Sequence, residues 1–129
     1  MTNNPRPIQV LLAEDEKDVL QSLAIGLERL GFKVFSAKNG LEALQCPALE
    51  QVDIIVSDVR MPEMDGFTLF RKVREKSAQK PFLFISGHLV EIANEDADLA
   101  RCPFLAKPFT SSELAKKIMT VLKSTPEFA

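Results

Sequence analysis

Four places in this 129-residue chain carry side chains that could do chemistry together: the acidic pair Glu14-Asp15, Asp58, Ser86 and Lys107. Crowded carboxylates repel one another unless a proton is shared among them or a cation neutralises them. Oxygen-only ligands point to Mg²⁺, which usually keeps several waters and takes one or two protein carboxylates together with phosphate oxygens. A lysine and a hydroxyl beside such an ion are the parts that stabilise a phosphoryl group in transfer. One carboxylate would then be the nucleophile and become an acyl phosphate. No single residue of the set is specific, since Asp also caps helices and starts turns. The chemistry therefore depends on elements that bring the set together.

The pattern supplies them. Ile8 to Ala13 is a short apolar run that ends in Glu14-Asp15-Glu16, and the Val52–Ser57 stretch, rich in β-branched residues, ends on Asp58 before a turn containing Pro62 and Gly66. Both read as buried strands delivering acid to their C-terminal ends. Phe82 to Ser86 is a third such run ending in a hydroxyl, and Pro103 to Ala106 a shorter one ending in Lys107-Pro108. Phe32 to Ala37 alternates like a strand with one exposed face. Between the strands the period changes to three and four residues. Leu20, Leu23, Ala24, Leu27 and Leu30 define a helix over 17–30, with Gly31 at its C-cap. Asn39 caps a second helix with Glu42 in capping-box register and Leu41, Leu44 and Ala48 inward. Asp65-Gly66 opens a third with Phe67, Phe70 and Val73 inward. Residues 88–101 suggest an acidic fourth helix, and Thr110 to Glu113 is a capping box opening a fifth with Leu114, Ile118, Val121 and Leu122 inward.

Five strands alternating with five helices imply an α/β, doubly wound five-stranded parallel sheet with right-handed crossovers and the flavodoxin-like strand order 2-1-3-4-5. In that fold Glu14, Asp15, Asp58, Ser86 and Lys107 all lie at the C-terminal ends of strands, where open α/β sheets bind ligands. Lys107 must point back into the crevice while the last helix begins at Thr110, so the expected Lys107-Pro108 bond is cis.

Composition sets the remaining bounds. With 46% hydrophobic and 26% charged residues the chain reads as one domain with a real core. A net charge of -2 with dispersed basic residues argues against a nucleic-acid surface. No apolar stretch approaches the roughly 20 residues of a membrane helix, and the polar N-terminus lacks a secretory apolar region, so a cytoplasmic location is expected. Cys46 and Cys102 fit no metal or catalytic spacing and are expected to be reduced structural thiols.

Taken together and in this order, Glu14-Asp15, Asp58 with Met61-Pro62-Glu63-Met64-Asp65-Gly66, Ser86 with the small Gly87, and Phe104-Leu105-Ala106-Lys107-Pro108-Phe109 resemble the receiver domain of two-component response regulators. The resemblance covers essentially the whole chain, as a single receiver domain over 1–129 with tails at 1–6 and 125–129. It implies that Asp58 accepts phosphate from a histidine kinase or phosphotransfer protein. It further implies that Asp15, Asp58 and the backbone carbonyl of Arg60 bind Mg²⁺, and that Glu14 assists through water. Lys107 would contact the phosphoryl group, Ser86 would move onto it, and Phe104 would be the aromatic switch. A face formed by the fourth helix, fifth strand and fifth helix would then signal to a downstream protein target, with the chain a monomer or a weak phosphorylation-dependent dimer. Neither nucleic acid nor membrane is among the expected partners.

Two departures from the family pattern stand out. Glu occupies position 14 in place of the more usual Asp, and Arg101-Cys102-Pro103 precedes the last strand where Gly-Ala is common. Arg60 and His88 occupy positions that influence water access to the acyl phosphate in the family. Rival readings fit less well. A haloacid-dehalogenase-type phosphatase needs a second Asp where this chain has Arg60, and an FMN binder would meet acids where its phosphate loop belongs. A receiver cut from a larger regulator or hybrid kinase, and an unphosphorylated pseudo-receiver, are the alternatives within the family.

Overall fold

The computed structural model of the chain describes residues 6–87 and 101–124. Its strands are β1 (Gln9–Ala13), β2 (Lys33–Ala37), β3 (Ile54–Asp58), β4 (Phe82–Ser86) and β5 (Phe104–Ala106). The described helices are α1 (Lys17–Arg29), α2 (Gly40–Leu44), α3 (Gly66–Lys76) and α4 (Ser111–Lys123). The expected fourth helix falls, apart from Arg101, outside the described residues, so the expected fifth helix is α4 here. All strand pairs are parallel and their order is β2-β1-β3-β4-β5, as the pattern of elements predicts. None of the described helices is long and apolar enough to cross a membrane.

Successive side chains of a strand face opposite sides of the sheet, and the core divides accordingly. Leu11, Ala13, Ile55 and Phe84 pack with Ala43, Phe67, Phe70 and Val73 of α2 and α3. Val10, Leu12, Ile54, Val56, Leu83 and Ile85 pack on the other side with Leu23 and Leu27 of α1 and Leu114, Ile118 and Leu122 of α4. Strands β1, β3 and β4 are thus covered on both faces, which is why they read as unbroken apolar runs. Phe67, Phe70, Phe82 and Phe84 form one aromatic group with neighbouring ring centroids 4.9–5.9 Å apart.

Among the described residues the local signals hold with four corrections. Leu30 is half exposed rather than inward, because it is the C-cap of α1, where the helical stripe has already ended. Leu41 is also exposed, and α2 buries Gly40 and Ala43 instead. The helix is one short piece ending before Pro47, which disfavours helical geometry in the residue before it, so Ala48 is buried beyond the helix end. The Asn39 carboxamide accepts the Glu42 N–H at 2.7 Å as expected, but the Glu42 carboxylate returns to the Lys38 N–H rather than to Asn39 itself. The Thr110–Glu113 capping box is complete. The Lys107-Pro108 bond is cis, and neither cysteine forms a disulfide.

At the N-terminal edge of the sheet Asp53 is buried, and its carboxylate accepts both guanidinium nitrogens of Arg6 at 2.7 and 2.8 Å and the Gln9 N–H at 2.8 Å. Burial raises the Asp53 pKa, but these bonds and the nearby charges of Arg6 and Lys80 outweigh it and hold the group below its ordinary value. A depressed carboxylate stabilises the fold above its unfolded pKa, and that contribution is lost as pH falls through the lower folded value. Asp53→Asn is therefore expected to cost about 1–2 kcal/mol at neutral pH, the low end for charged hydrogen bonds because Arg6 is exposed. Denaturant titrations of both proteins should converge in strong acid; a gap independent of pH would refute the assignment.

Candidate functional site

Parallel order places the ends of β1, β3, β4 and β5 along one edge, with β1 beside β3 and β3 beside β4. Glu14 follows β1 directly and is completely buried, and Asp58 ends β3 with 8% of its surface exposed. Lys107 follows β5, and its ammonium donates to Glu14 Oε1 at 2.8 Å and to Asp58 Oδ2 at 2.8 Å. The second oxygen of Glu14 accepts the Glu16 N–H at 3.0 Å, and Asp58 Oδ1 accepts the Val59 N–H at 2.8 Å. Asp15 sits at the exposed mouth, and one carboxylate oxygen from each of Glu14, Asp15 and Asp58 lies within 4.8 Å of the other two.

The electrostatics follow from this crowding. Partial burial raises the Asp15 pKa first, and a hydrogen bond with Glu14 and repulsion from its charge push the same way, against the opposing pull of its own backbone and of Lys107. For Lys107, burial disfavours the ammonium, but hydrogen bonds and attraction from Asp58 and Glu14 prevail and raise its pKa. Among the described residues Lys107 is bonded to two of these three acids, so the crevice retains an appetite for positive charge. Oxygen donors this close, with no histidine or thiol beside them among the described residues, suit a hard divalent cation such as Mg²⁺.

Ser86 ends β4, is 2% exposed, pairs in register with Ala106 and accepts the Lys107 N–H on its carbonyl at 2.9 Å. Phe104 opens β5 opposite Phe84 and is 41% exposed. Arg60 is exposed in the loop after Asp58. The structure thus gathers Glu14, Asp15, Asp58 and Lys107 into one cluster, sets Ser86 at the adjoining strand end and leaves Phe104 on the surface. His88 lies outside the described residues.

Two residues hold Asp58 still, of which sequence reasoning passed over Ser57 and read Gly66 only as part of the turn and motif that follow. Ser57, fully buried, donates its hydroxyl to the Asp58 carbonyl at 2.8 Å. Gly66 donates to the Val59 carbonyl at 2.8 Å, and a Cβ on Gly66 would stand 2.2 Å from the Asp58 carbonyl oxygen, so no side chain fits there. A hydroxyl inside an otherwise apolar strand was the available signal for Ser57.

Comparison with known proteins places this geometry in context. The family model for the response regulator receiver domain matches residues 10–119. The response regulator receiver protein CpdR of Brucella abortus is 34% identical over 88% of this chain and 96% of its own length. The sensor kinase CckA of the same organism is 41% identical over 88% of this chain, which corresponds to 12% of that protein. Among solved structures, the chemotaxis protein CheY4 of Vibrio cholerae superposes with a TM-score of 0.80 at 31% identity, over 89% of this chain and 98% of its own.

Proposed function

Since the chain belongs to the response regulator receiver family, a family of phosphorelay signalling modules, we propose that it is a phosphoacceptor whose acceptor is Asp58 and whose cofactor is Mg²⁺. The observation that carries the reading is Lys107 bonded simultaneously to Glu14 and Asp58 at the mouth of a three-carboxylate crevice. One Asp58 oxygen attacks the phosphorus of a phosphohistidine on a histidine kinase or phosphotransfer protein. The P–N bond breaks with its electron pair going to the imidazole, and an acyl phosphate forms. Lys107 loosens from Asp58 and turns its ammonium to a phosphoryl oxygen, while Glu14 keeps hold of its other side. Ser57, Val59 and Gly66 fix the acceptor throughout.

Asp15, Asp58 and the Arg60 carbonyl would hold Mg²⁺, which when bound supplies positive charge to the transferring phosphoryl oxygens. Glu14 stands back because it is completely buried, whereas Asp58 keeps some exposed surface and Asp15 faces the mouth. Asp15→Asn is therefore expected to weaken Mg²⁺ binding about 10- to 100-fold and more than Glu14→Gln does. Because Asp15 must lose its proton to bind, affinity should rise with pH through its raised pKa. Calorimetry giving equal losses for both variants would overturn the assignment.

The output step falls to Ser86 and Phe104. An acyl phosphate brings about two negative charges and three acceptor oxygens, drawing the Ser86 hydroxyl inward, and the exposed ring of Phe104 then turns into the space behind it. The altered face around β5 and α4 is offered to a downstream protein. Ser86→Ala should accept phosphate yet leave β5 and α4 amides unmoved in NMR with beryllofluoride, whereas wild type shifts them. Identical β5 and α4 shifts in both would rule Ser86 out as the relay. The function as a whole is tested by mass: the chain incubated with acetyl phosphate and Mg²⁺ gains one phosphoryl group, and no gain defeats the reading.

A further inference from the structure

Helix α2 plays no part in the chemistry above, yet its first residue touches the loop that leaves the phosphoacceptor. The Gly40 N–H donates to the Met64 carbonyl at 2.9 Å, and Gly40 itself is buried. A Cβ at Gly40 would lie 2.4 Å from that carbonyl oxygen, closer than real side chains come, and a tight 3.0 Å from both the carbonyl carbon and Cγ of Met64. The closest contact is with the Met64 backbone, so no rotamer change can relieve it.

The loop on the other side has little slack. At its base Gly66 is bonded to Val59 and pressed on the Asp58 carbonyl. At its apex the Met64 N–H donates to Pro62 O at 2.7 Å, closing a three-residue turn around Glu63, whose φ is +68°. A three-residue turn with positive φ at a residue bearing a side chain is strained and persists only where its surroundings impose it. Arg60 lies between base and apex. Helix α2 is the firmer partner, since Asn39 caps it and Ala43 is wholly buried, whereas Arg60, Pro62, Glu63 and Asp65 are exposed.

We propose that Gly40 is a positioning residue for the metal and phosphoryl site, acting through Met64 to set where the Arg60 carbonyl lies. This rests on the functional reading above. Restoring ordinary contact around an added methyl at Gly40 moves Met64 by about 1 Å, and the loop takes up that shift at Arg60. Mg²⁺ demands near-ideal octahedral geometry at about 2.0–2.1 Å, so a ligand displaced by a fraction of that shift is lost to it. The same contact runs in reverse: filling the site tightens the loop and is felt at the first turn of α2.

The test is calorimetry and amide NMR on the full chain with Mg²⁺ alone. Gly40→Ala is expected to bind at least about tenfold more weakly than wild type. Gly31→Ala is the control, because Gly31 has φ +99° in open space at the opposite edge of the sheet, so the substitution strains backbone without touching the loop. It should bind as wild type does. In the wild type the Gly40 amide should move along the same binding curve as the Val59 amide, a signature that needs no variant to fold. Affinity of Gly40→Ala within about twofold of wild type, an equal loss in Gly31→Ala, or a Gly40 amide that stays put while Val59 shifts would each overturn the proposal. A wild type that takes up no Mg²⁺ defeats the functional reading itself and this inference with it, and that result is visible before any variant is made.

Discussion

Asp58→Ala is expected to abolish phosphoryl uptake from acetyl phosphate while leaving the chain folded, and to leave its stability equal to or slightly above that of the wild type. The loss is complete because the other acids of the crevice among the described residues are unsuited: Glu14 is completely buried, and Asp15 is needed for the ion. The unchanged stability follows from the charges. Removing Asp58 takes away one of three mutually repelling carboxylates, while Lys107 keeps its bond to Glu14. Residues tuned for chemistry at a crowded site are commonly held against stability. Intact-mass measurement with thermal unfolding decides it. A phosphoryl gain that persists in the variant places the acceptor elsewhere, and an unfolded variant shows that Asp58 also serves the fold.

Lys107→Met is expected to have the larger effect on stability, about 3 kcal/mol of loss. Glu14 has no exposed surface, and without the ammonium its charge is left with the Glu16 N–H and the neighbouring Asp15, with no cation bonded to it. Breaking a buried pair by removing one partner costs about 3–5 kcal/mol, and the figure sits at the low end here because Lys107 is a quarter exposed and its place opens to water. The double variant Glu14→Gln/Lys107→Met should recover most of the loss, since the uncompensated charge is gone. The wild-type contribution has a defined pH window. A raised lysine pKa stabilises fully below the unfolded value and is lost as pH rises through the folded one, so the gap between wild type and Lys107→Met should narrow in strongly alkaline solution. Urea titration is the measurement. A single variant as stable as wild type, or a double variant no better than the single, would show that Glu14 does not depend on Lys107.

Much of this was legible before any coordinates, because it is written in short-range signals. Strand against helix is a matter of period, so β1, β3 and β4 stood out as apolar runs and α1, α3 and α4 as three- and four-residue stripes. Caps operate within four residues, and Asn39, Asp65 and Thr110 each accept the expected N–H. Where local signals were thin the reading slipped. Five residues of α2 are too few to define a face, so Leu41 was expected inside and is outside. Leu30 continued a stripe one residue beyond the helix that bears it.

Among the described residues the sequence by itself determined which elements form and that acid, acid, hydroxyl and lysine each close a strand. Through alternation it also determined that these strand ends share one edge. Only the tertiary structure decided how those groups divide the work. Glu14 is sealed and spent on Lys107 and Glu16, whereas Asp15, its immediate neighbour, faces the mouth. Adjacent residues leaving a strand point to opposite sides, and which side is closed depends on what the sheet and Lys107 place there. Gly40 and Met64 illustrate the same limit. Their spacing in the chain carries no period, and their contact exists only because α2 and the loop after β3 are packed on the same face of the sheet, a distance set by folding and by no local rule.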